Sequence, residues 1–328
     1  MTADLKPSAA APTDSTDTPD STDTPDSTDS TDSTDSTDST DTPGTAVDVA
    51  LSDAALDTIA DLLRGRPAAV LTGAGLSTDS GIPDYRGEGA PKRTPMTFQT
   101  FTSDERARKR YWAGSHLGWR QFRAARPNLG HASLVRLEEL QAITGVITQN
   151  VDGLHTRAGS RHVVELHGSM DRVVCLDCGQ AFGRDSVAAR LEAANPMLAR
   201  PDDITIAPDG DADVGDIDDF RIPACTVCGG MLKPNVVFFG ELVPTQRFLE
   251  ATALVRSAEA LIVAGSSLAV NSGIRLVEQA RRRKLPIVVI NRGATKGDGR
   301  AVLKLDAGAS ESLAGLAHRL ASAQESTR

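Results

Sequence analysis

The sequence predicts an α/β fold in which a parallel sheet carries helices on both faces and two insertions interrupt the alternation. Five short runs are almost wholly apolar, as buried strands are, and stretches with helical apolar spacing separate several of them. Strands that are apolar on both faces are typical of parallel sheets. Each run is followed directly by glycine or a polar residue. In parallel α/β sheets, ligands bind at the carboxyl ends of the strands, which is where these residues lie. The pattern therefore predicts both the sheet and the edge that carries its site.

The predicted elements follow in chain order. The strands are Ala68–Thr72, Gly145–Thr148, Val163–Leu166, Ala260–Ala264 and Ile287–Ile290. The helices are Ser52–Arg64, Ala132–Leu140, Pro244–Ser257 and Ser272–Lys284. These elements assign residues 48–172 and 233–328 to the sheet domain.

Two stretches break the alternation and are predicted to be insertions. The first, at about 88–128, is rich in charge and aromatic residues, and we interpret it as short helices around a small core rather than a cofactor-binding segment. Its aromatic residues are Phe98, Phe101, Tyr111, Trp112, Trp119 and Phe122. The second, at 173–232, is predicted to be a small metal-binding domain. It contains an acidic stretch, Asp202–Asp219, that we expect to be an exposed loop.

Residues 1–47 are predicted to form a disordered acidic tail. From Asp14 to Asp41 an Asp recurs at every third position among Ser, Thr and Pro, and that period fits neither a helix nor a strand. With almost no apolar side chains, the segment cannot offset the entropy lost on ordering. We interpret it as a solubilising extension, and a regulatory or phosphate-accepting role stays open.

The charge outside the tail excludes some classes of protein. The formal net charge is −9, and residues 1–45 hold eleven Asp and one Lys, so the rest of the chain is close to +1. Nucleic-acid binding rests on clustered positive charge, and we expect no such partner. No apolar run approaches the ~18 residues of a membrane span. Met1 to Thr16 show neither the basic nor the apolar region of a secretory signal, so none is expected. We therefore expect a cytoplasmic protein with no membrane partner and an unknown oligomeric state.

The four cysteines form two pairs, Cys175-Leu176-Asp177-Cys178 and Cys225-Thr226-Val227-Cys228, each followed by glycine. A CxxC-Gly turn places two thiolates on one side, and two such turns make a four-sulfur site suited to Zn²⁺. Because four protein ligands leave no position for water, the predicted Zn²⁺ is structural, with one ion per chain. A pair of redox dithiols is the alternative, although redox CxxC motifs usually occur singly.

Gly73-Ala74-Gly75-Leu76-Ser77 lies between the first strand and a predicted helix start. Glycines there let the backbone approach a pyrophosphate and point N–H groups at it, as in Rossmann-like dinucleotide-binding sheets. Thr78 replaces the third glycine of the GxGxxG fingerprint, so an ordinary dehydrogenase is not predicted. On its own, the segment is equally consistent with a tight turn.

Longer motifs extend this pattern. They run from Gly73 to Gly87 (GAGLSTDSGIPDYRG), Thr148 to His155 (TQNVDGLH), Glu165 to Gly168 (ELHG), Lys233 to Glu241 (KPNVVFFGE), Gly265 to Ser267 (GSS) and Asn291 to Gly293 (NRG). With these six blocks and the CxxC pairs between them, residues 51–320 resemble the sirtuin family of NAD-dependent protein-lysine deacylases. The finer pattern resembles the branch that includes a mitochondrial member with weak deacetylase activity.

The resemblance implies that the acyl-lysine oxygen attacks C1′ of the nicotinamide ribose of NAD. The products are nicotinamide, free lysine and an O-acyl-ADP-ribose, so NAD is a co-substrate and acylated lysine in proteins is the partner. His167, which follows a strand, is the expected base, since imidazole has an unperturbed pKa near 6.5. Asn150 is expected to join it in catalysis.

The remaining site residues are expected in two groups. By resemblance, the NAD contacts are Gly73, Ala74, Gly75, Ser77, Ile82, Asp84, Arg86, Gln149, Asn150, Asp152, Gly265, Ser266, Ser267, Asn291, Arg292, Gly293 and Ala309. Ser80–Arg93 would be a loop that orders over NAD. The peptide is expected as an added strand between Ser267–Val270 and a segment formed by Val236, Val237, Phe238, Phe239 and Gly240. Core packing is the alternative role for the apolar members of that segment.

Other activities remain open within the resemblance and outside it. Relatives that remove acidic acyl groups carry a Tyr-x-x-Arg pair, and Gly114 stands where that Arg would follow Tyr111. A deacetylase is therefore expected first, and a mono-ADP-ribosyltransferase or a deacylase of longer acyl groups is the alternative. A non-catalytic NAD-sensing module is the alternative of another class, although a pure sensor needs no base. A nucleic-acid-binding zinc ribbon is disfavoured by the acidic stretch beside the cysteines.

Overall fold

The computed structural model describes residues 47–84, 95–196 and 217–325. Residues 1–46 of the predicted tail, residues 85–93 of the predicted loop (Arg86 among them) and residues 202–216 of the acidic stretch lie outside the described residues. Val47, assigned above to the tail, is instead the first residue of a strand. Among the helices that the structure describes, none is long and apolar enough to cross a bilayer.

The described residues form a large and a small sheet with helices around them. The strands are β1 (Val47–Ala50), β2 (Ala68–Thr72), β3 (Ile143–Thr148), β4 (Val163–Glu165), β5 (Gly168–Cys175), β6 (Ala181–Gly183), β7 (Leu232–Val236), β8 (Ala260–Ala264), β9 (Ile287–Ile290) and β10 (Leu303–Asp306). The helices are α1 (Asp53–Leu63), α2 (Phe98–Ser103), α3 (Glu105–Ala124), α4 (Leu129–Glu139), α5 (Leu154–Ala158), α6 (Arg184–Ala194), α7 (Thr245–Ser257), α8 (Asn271–Arg282) and α9 (Ala309–Glu325).

The large sheet has seven strands in the order β1-β10-β9-β8-β2-β3-β4, and every neighbouring pair is parallel. Its central strands bury both faces. In β2, Val70 packs in the core beneath α1, α4 and α9, whereas Ala69 and Leu71 pack in the core beneath α7 and α8. The predicted Rossmann-like parallel sheet with helices on both faces is confirmed.

The strand runs predict the central sheet well and its outer part less well. The bounds of β2, β8 and β9 match the prediction, while β3 begins two residues earlier and β4 ends one residue earlier than expected. Strands β1 and β10, at the far edge of the sheet, were not predicted. Both carry charged residues that interrupt the apolar run, Asp48 in β1 and Lys304 in β10.

The described part of the first insertion holds one short helix, α2, and one long helix, α3, where only short helices were predicted. α3 has 20 residues and begins at the side-chain cap of Asp104. Its aromatic residues do form a small core, as predicted, and that core continues into the small sheet. There the Trp112 indole donates to the Leu232 carbonyl at 3.3 Å. The fully buried Arg184 guanidinium lies over Trp112 and donates to Ser115, so the helical insertion and the small sheet share one interior.

The small sheet is antiparallel, in the order β6-β5-β7, and carries the cysteines at one end. All four are free thiols whose sulfur atoms lie within 4.8 Å of one another. The Cys175 and Cys228 sulfurs are 3.5 Å apart, and those of Cys178 and Cys225 are 3.8 Å apart. Tetrahedral Zn²⁺ with Zn–S bonds of about 2.3 Å needs sulfurs about 3.8 Å apart, so these four thiolates fit the ion.

Two buried histidines, His131 in α4 and His155 in α5, lie near the end of β2. The rings of His131 and His155 have centroids 4.8 Å apart, and His155 Nε2 lies 2.9 Å from the Thr72 hydroxyl. The remaining ring nitrogens, His131 Nε2 and His155 Nδ1, are buried and have no hydrogen-bond partner among the residues that the structure describes. Burial lowers the pKa of His131 to about 4 and that of His155 well below its usual value. Both rings are therefore neutral at neutral pH.

Removing the metal ligands should unfold the small sheet, because Zn²⁺ binding supplies on the order of 10 kcal/mol in such modules. We expect Cys178→Ser to lower the zinc content below one ion per chain and to speed amide exchange in β5. Elemental analysis and hydrogen–deuterium exchange measure both effects. Ser186→Ala, at an exposed hydroxyl in α6, is the control. Unchanged β5 protection in a zinc-free variant would contradict a structural ion.

The histidine pair should make the protein less stable in mild acid. An unfolded histidine takes up a proton below about pH 6.5 whereas the buried ring does not, so stability is complete above that pH and declines as the pH falls towards about 4. For His131 alone the loss is about 3 kcal/mol at the low end. Urea unfolding at pH 7.5, 6 and 5 should show a shallower decline in His131→Gln. His318→Gln, at an exposed site, should keep the steeper decline; equal slopes in all three proteins would be inconsistent with this account.

Candidate active site

The predicted site residues meet at the edge of the large sheet where β2, β3, β8 and β9 end. Because all of these strands are parallel, the residues that follow them lie on the same edge. Gly73 follows β2, Gln149 follows β3 and Gly265 follows β8. Asn291 follows β9, and Ala309 begins α9 after β10.

The glycine loop after β2 lies directly against the turn after β8. The Gly75 N–H donates to the Gly265 carbonyl at 2.9 Å, and a Cβ added at Gly73 would lie 2.8 Å from that same oxygen. Gly265 has a φ of 63°, which non-glycine residues rarely adopt. The predicted helix start is wrong in type, since two short 3₁₀ turns, Ala74–Leu76 and Thr78–Ser80, follow instead. Close backbone contact with Gly265 favours this tighter path.

A chain of hydrogen bonds holds Asn150 and Asp152 against that loop. The Asn150 amide donates to the Gly73 carbonyl and to the Ser77 hydroxyl, both at 3.0 Å. Ser77 in turn donates to the Asp152 carboxylate at 2.7 Å, and the Leu154 N–H donates to its other oxygen at 2.8 Å. Burial raises the pKa of Asp152, and the hydrogen bonds from Leu154 and Ser77 oppose that shift. Asp152 thus holds the loop after β2 in place through its hydrogen bond with Ser77.

Gln149 connects the ends of three strands. Its side-chain amide donates to the Ser266 hydroxyl at 2.7 Å, and its backbone N–H donates to the Thr72 carbonyl at 3.0 Å. The Ser266 hydroxyl also accepts from the Leu268 N–H at 3.2 Å. The ends of β2, β3 and β8 are therefore held in one register around this side chain.

His167 lies on the same edge with both ring nitrogens engaged. Nδ1 is 2.9 Å from the Gln149 carbonyl and Nε2 is 2.8 Å from the Ser272 hydroxyl. Burial lowers the pKa of His167; the contact with Gln149 opposes this shift, and the Arg247 guanidinium adds to it. The imidazole is therefore held neutral, which is the form a general base needs.

The residue after His167 must be glycine for steric reasons. Gly168 has a φ of 85°, and an added Cβ would lie 2.0 Å from the Asn235 carbonyl. Arg247 reaches the same place from α7 and donates to the Asn235 side chain at 2.7 Å. The His167 carbonyl accepts from the Val237 N–H at 2.8 Å, so the imidazole lies where the two sheets meet.

The predicted peptide segment has one buried and one exposed phenylalanine. Phe238 is 6% exposed and packs with Phe101 and Tyr111, whereas Phe239 is 45% exposed. The Phe238 N–H donates to Glu241, which pairs with the buried Lys233 ammonium at 3.0 Å. Val236, before this turn, is buried, and Gly240, within it, has a φ of 77°. Within the two predicted peptide segments, the exposed large apolar side chains are Phe239 and Val270, which is 42% exposed.

The other predicted NAD contacts that the structure describes lie around the same edge. Asn291 donates to the Arg292 and Gly293 carbonyls, and exposed Arg292 pairs with Glu311 at 3.6 Å. Ile82 is buried below the loop, with Asp84 partly exposed beyond it. Ala309 is buried at the start of α9, Ala74 is partly exposed and Ser267 follows Ser266 in the turn.

Several residues of the site carry no signal in the sequence. In the sequence, Ser272 lies within a predicted helix and Arg247 is one of many arginines. Asn128 has only the pattern of a helix N-cap. Asn128 does cap α4, but its amide also donates to the Leu76 carbonyl and so holds the glycine loop from outside. Only the motif position of His155, within DGLH, could have drawn attention to the histidine beside Thr72.

A dinucleotide fits this edge by the chemistry of its groups. Gly73 is buried against Gly265 and Ser266, whereas Ala74 and Gly75 are partly exposed. Amide and hydroxyl groups of Gln149, Asn150 and Ser266 lie beside this loop. The Ser80 hydroxyl beside this loop is buried without a partner among the described residues. Glycine-rich backbone with polar side chains at strand ends is the set of groups that pyrophosphate and ribose require.

Comparison with known proteins gives the same assignment. The profile of the Sir2 family matches residues 73–272. NAD-dependent protein deacetylase 1 of Streptomyces coelicolor is 53% identical over 283 residues, covering 85% of this chain and 94% of that protein. NAD-dependent protein deacetylase 1 of Mycobacterium avium (strain 104) is 52% identical over 263 residues, covering 79% of this chain and 93% of that protein.

A solved structure described as Sir2 with p53 peptide and NAD⁺ superposes with a TM-score of 0.67 at 32% identity. The match covers 82% of this chain and 98% of that one. Because the family profile spans more than half of the chain and relatives over 50% identical match most of its length, this chain belongs to the Sir2 family, the sirtuins.

Proposed function

We propose that this chain is an NAD-dependent protein-lysine deacetylase in which His167 and Asn150 carry the chemistry. The observation that carries the proposal is a neutral imidazole, held at both nitrogens, on the strand edge that bears the glycine loop. Relatives that match most of the chain are NAD-dependent protein deacetylases. The superposed Sir2 structure is described with peptide and NAD⁺.

When bound, NAD supplies an activated C1′ to which the acetyl-lysine oxygen adds as nicotinamide leaves. Asn150 is the proposed contact to the nicotinamide ribose, since its amide already lies between Gly73 and Ser77. Ile82 would lie against the nicotinamide ring. Asp152 and Gln149 are proposed to contact the nicotinamide amide and the ribose, besides holding the loop in place.

His167 is the proposed general base. Its Nδ1–H donates to the Gln149 carbonyl, so the lone pair is on Nε2. That tautomer can take up a proton at Nε2 without rotation of the ring. A positioned base typically contributes ~10²–10⁴-fold to the rate.

The peptide is proposed to bind as an added strand between Val236–Gly240 and Ser267–Val270. Exposed Phe239 and Val270 supply apolar surface on the two segments. Main-chain hydrogen bonds of this kind tolerate varied side chains, which suits an enzyme that acts on lysine in many proteins. Proteins with acetylated lysine are thus the proposed partners, and the cytoplasm the proposed location.

Incubation of the protein with acetyl-lysine peptide, with and without NAD, tests this function. We expect the peptide to lose the mass of an acetyl group only when NAD is present, with release of nicotinamide in equal amount. A peptide that gains the mass of ADP-ribose would indicate transferase activity instead. Binding of NAD with no change in the peptide would indicate a sensing module.

Replacing His167 should stop turnover but leave nicotinamide release intact. We expect His167→Ala to lower deacetylation by ~10²–10⁴-fold, because only the later step needs the base. Exchange of labelled nicotinamide into NAD in the presence of acetyl peptide should continue. His318→Gln, at an exposed histidine, is the matched control. Normal turnover by His167→Ala would eliminate this assignment.

Replacing Asn150 should impair the earlier step as well. Asn150→Ala removes the donor shared by Gly73 and Ser77, and we expect both nicotinamide exchange and deacetylation to fall by on the order of 100-fold. The contrast with His167→Ala separates the two roles in one assay. If exchange survived while turnover failed, the proposed contact to the nicotinamide ribose would be wrong.

A further inference from the structure

The base of the proposed reaction is not open to its substrate in this structure. His167 Nε2 lies 2.8 Å from the Ser272 hydroxyl, and Ser272 is the second residue of α8. Ser272 is 7% exposed. Its hydroxyl is therefore largely shielded from solvent and faces the imidazole of His167.

The direction of this hydrogen bond follows from the other nitrogen. Nδ1 faces the Gln149 carbonyl at 2.9 Å, and a carbonyl oxygen only accepts. A neutral imidazole carries one N–H, so the proton is on Nδ1 and the lone pair is on Nε2. Burial and the Arg247 guanidinium both favour this neutral form. The Ser272 O–H must then be the donor to Nε2.

Nε2 has one lone pair, and Ser272 already occupies it. A second hydroxyl cannot donate in line to the same lone pair while Ser272 does. A ribose hydroxyl can instead donate to the Ser272 oxygen, which has lone pairs free for an acceptor role. The position of Ser272 suits this, since the next residue, Gly273, lies against the Gln149 side chain on the same edge.

We propose that Ser272 relays the proton from the ribose hydroxyl to His167, an inference that rests on the proposed function. As the ribose oxygen attacks, its O–H bond breaks and the proton passes to the Ser272 oxygen. The Ser272 proton passes to Nε2 at the same time. Ser272 ends as a neutral hydroxyl, His167 becomes an imidazolium, and the electron pair of the ribose O–H bond stays with the attacking oxygen.

Three variants test the relay. Ser272→Ala removes the hydroxyl, Ser272→Thr keeps it, and Ser133→Ala is the matched control. Ser133 is a buried helical serine whose hydroxyl donates to the Leu129 carbonyl in α4, away from the site. We expect Ser272→Ala to lower deacetylation by about 10–100-fold, since a water can replace part of the relay. Nicotinamide exchange, which precedes proton transfer, should stay within about two-fold. Ser272→Thr should recover most of the turnover.

A second readout needs neither NAD nor turnover. In ¹⁵N NMR spectra of the protein alone, the Nε2 resonance of His167 should move towards the value of an unbonded imidazole nitrogen in Ser272→Ala. It should stay near the wild-type value in Ser272→Thr and in Ser133→Ala. An unchanged resonance in Ser272→Ala would mean that the hydrogen bond does not exist in solution.

The kinetic outcomes separate failure of the relay from failure of the function. Wild-type protein that does not deacetylate overturns the proposed function. Wild-type activity matched or exceeded by Ser272→Ala overturns the relay alone, because Ser272 then only masks the base. Equal loss of exchange and turnover in Ser272→Ala also overturns the relay, because Ser272 would then act in binding. A Thr variant with the wild-type Nε2 resonance but no recovered turnover overturns it too.

Discussion

The backbone contact between the loop after β2 and the turn after β8 decides where every polar group of the site lies. Gly75 donates to the Gly265 carbonyl, and Gly73 leaves no room for a Cβ beside that oxygen. Gln149 and Asn150, at the end of β3, then reach both neighbours with single amide groups. A side chain at either glycine would separate the two loops and release both amides. The site is thus a consequence of strand ends brought within contact distance.

Burial sets the electrostatics of this edge. His167 is held neutral with its lone pair on Nε2, and Asp152 is held by two donors although burial raises its pKa. The Arg247 guanidinium, which is bonded to Asn235, further disfavours protonation of the imidazole. Lys233 is paired with Glu241 beneath the proposed peptide segment. The charges near the base are thereby fixed by protein contacts, so the base keeps its form when water is excluded.

The sequence predicted the parts of the molecule in which local pattern and fold agree. Apolar runs identified the central strands, because a parallel sheet buried on both faces needs them, and the CxxC turns identified the thiolate cluster. It missed β1 and β10, whose charged residues hide the pattern, and the true length of α3. Motif context identified His167 and Asn150. Ser272 and Arg247 could not be found this way, since they come near His167 and Asn235 only when α8 and α7 pack in the folded chain.

The central claim is that residues at several strand ends bind NAD and that the imidazole of His167 acts on its nicotinamide ribose. A crystal structure of the protein with NAD and an acetyl-lysine peptide tests it most directly. The account predicts a nicotinamide-ribose hydroxyl within about 3.2 Å of the Ser272 oxygen, with His167 Nε2 directly behind it. A dinucleotide bound away from the glycine loop, or an imidazole of His167 remote from every ribose oxygen, would contradict it.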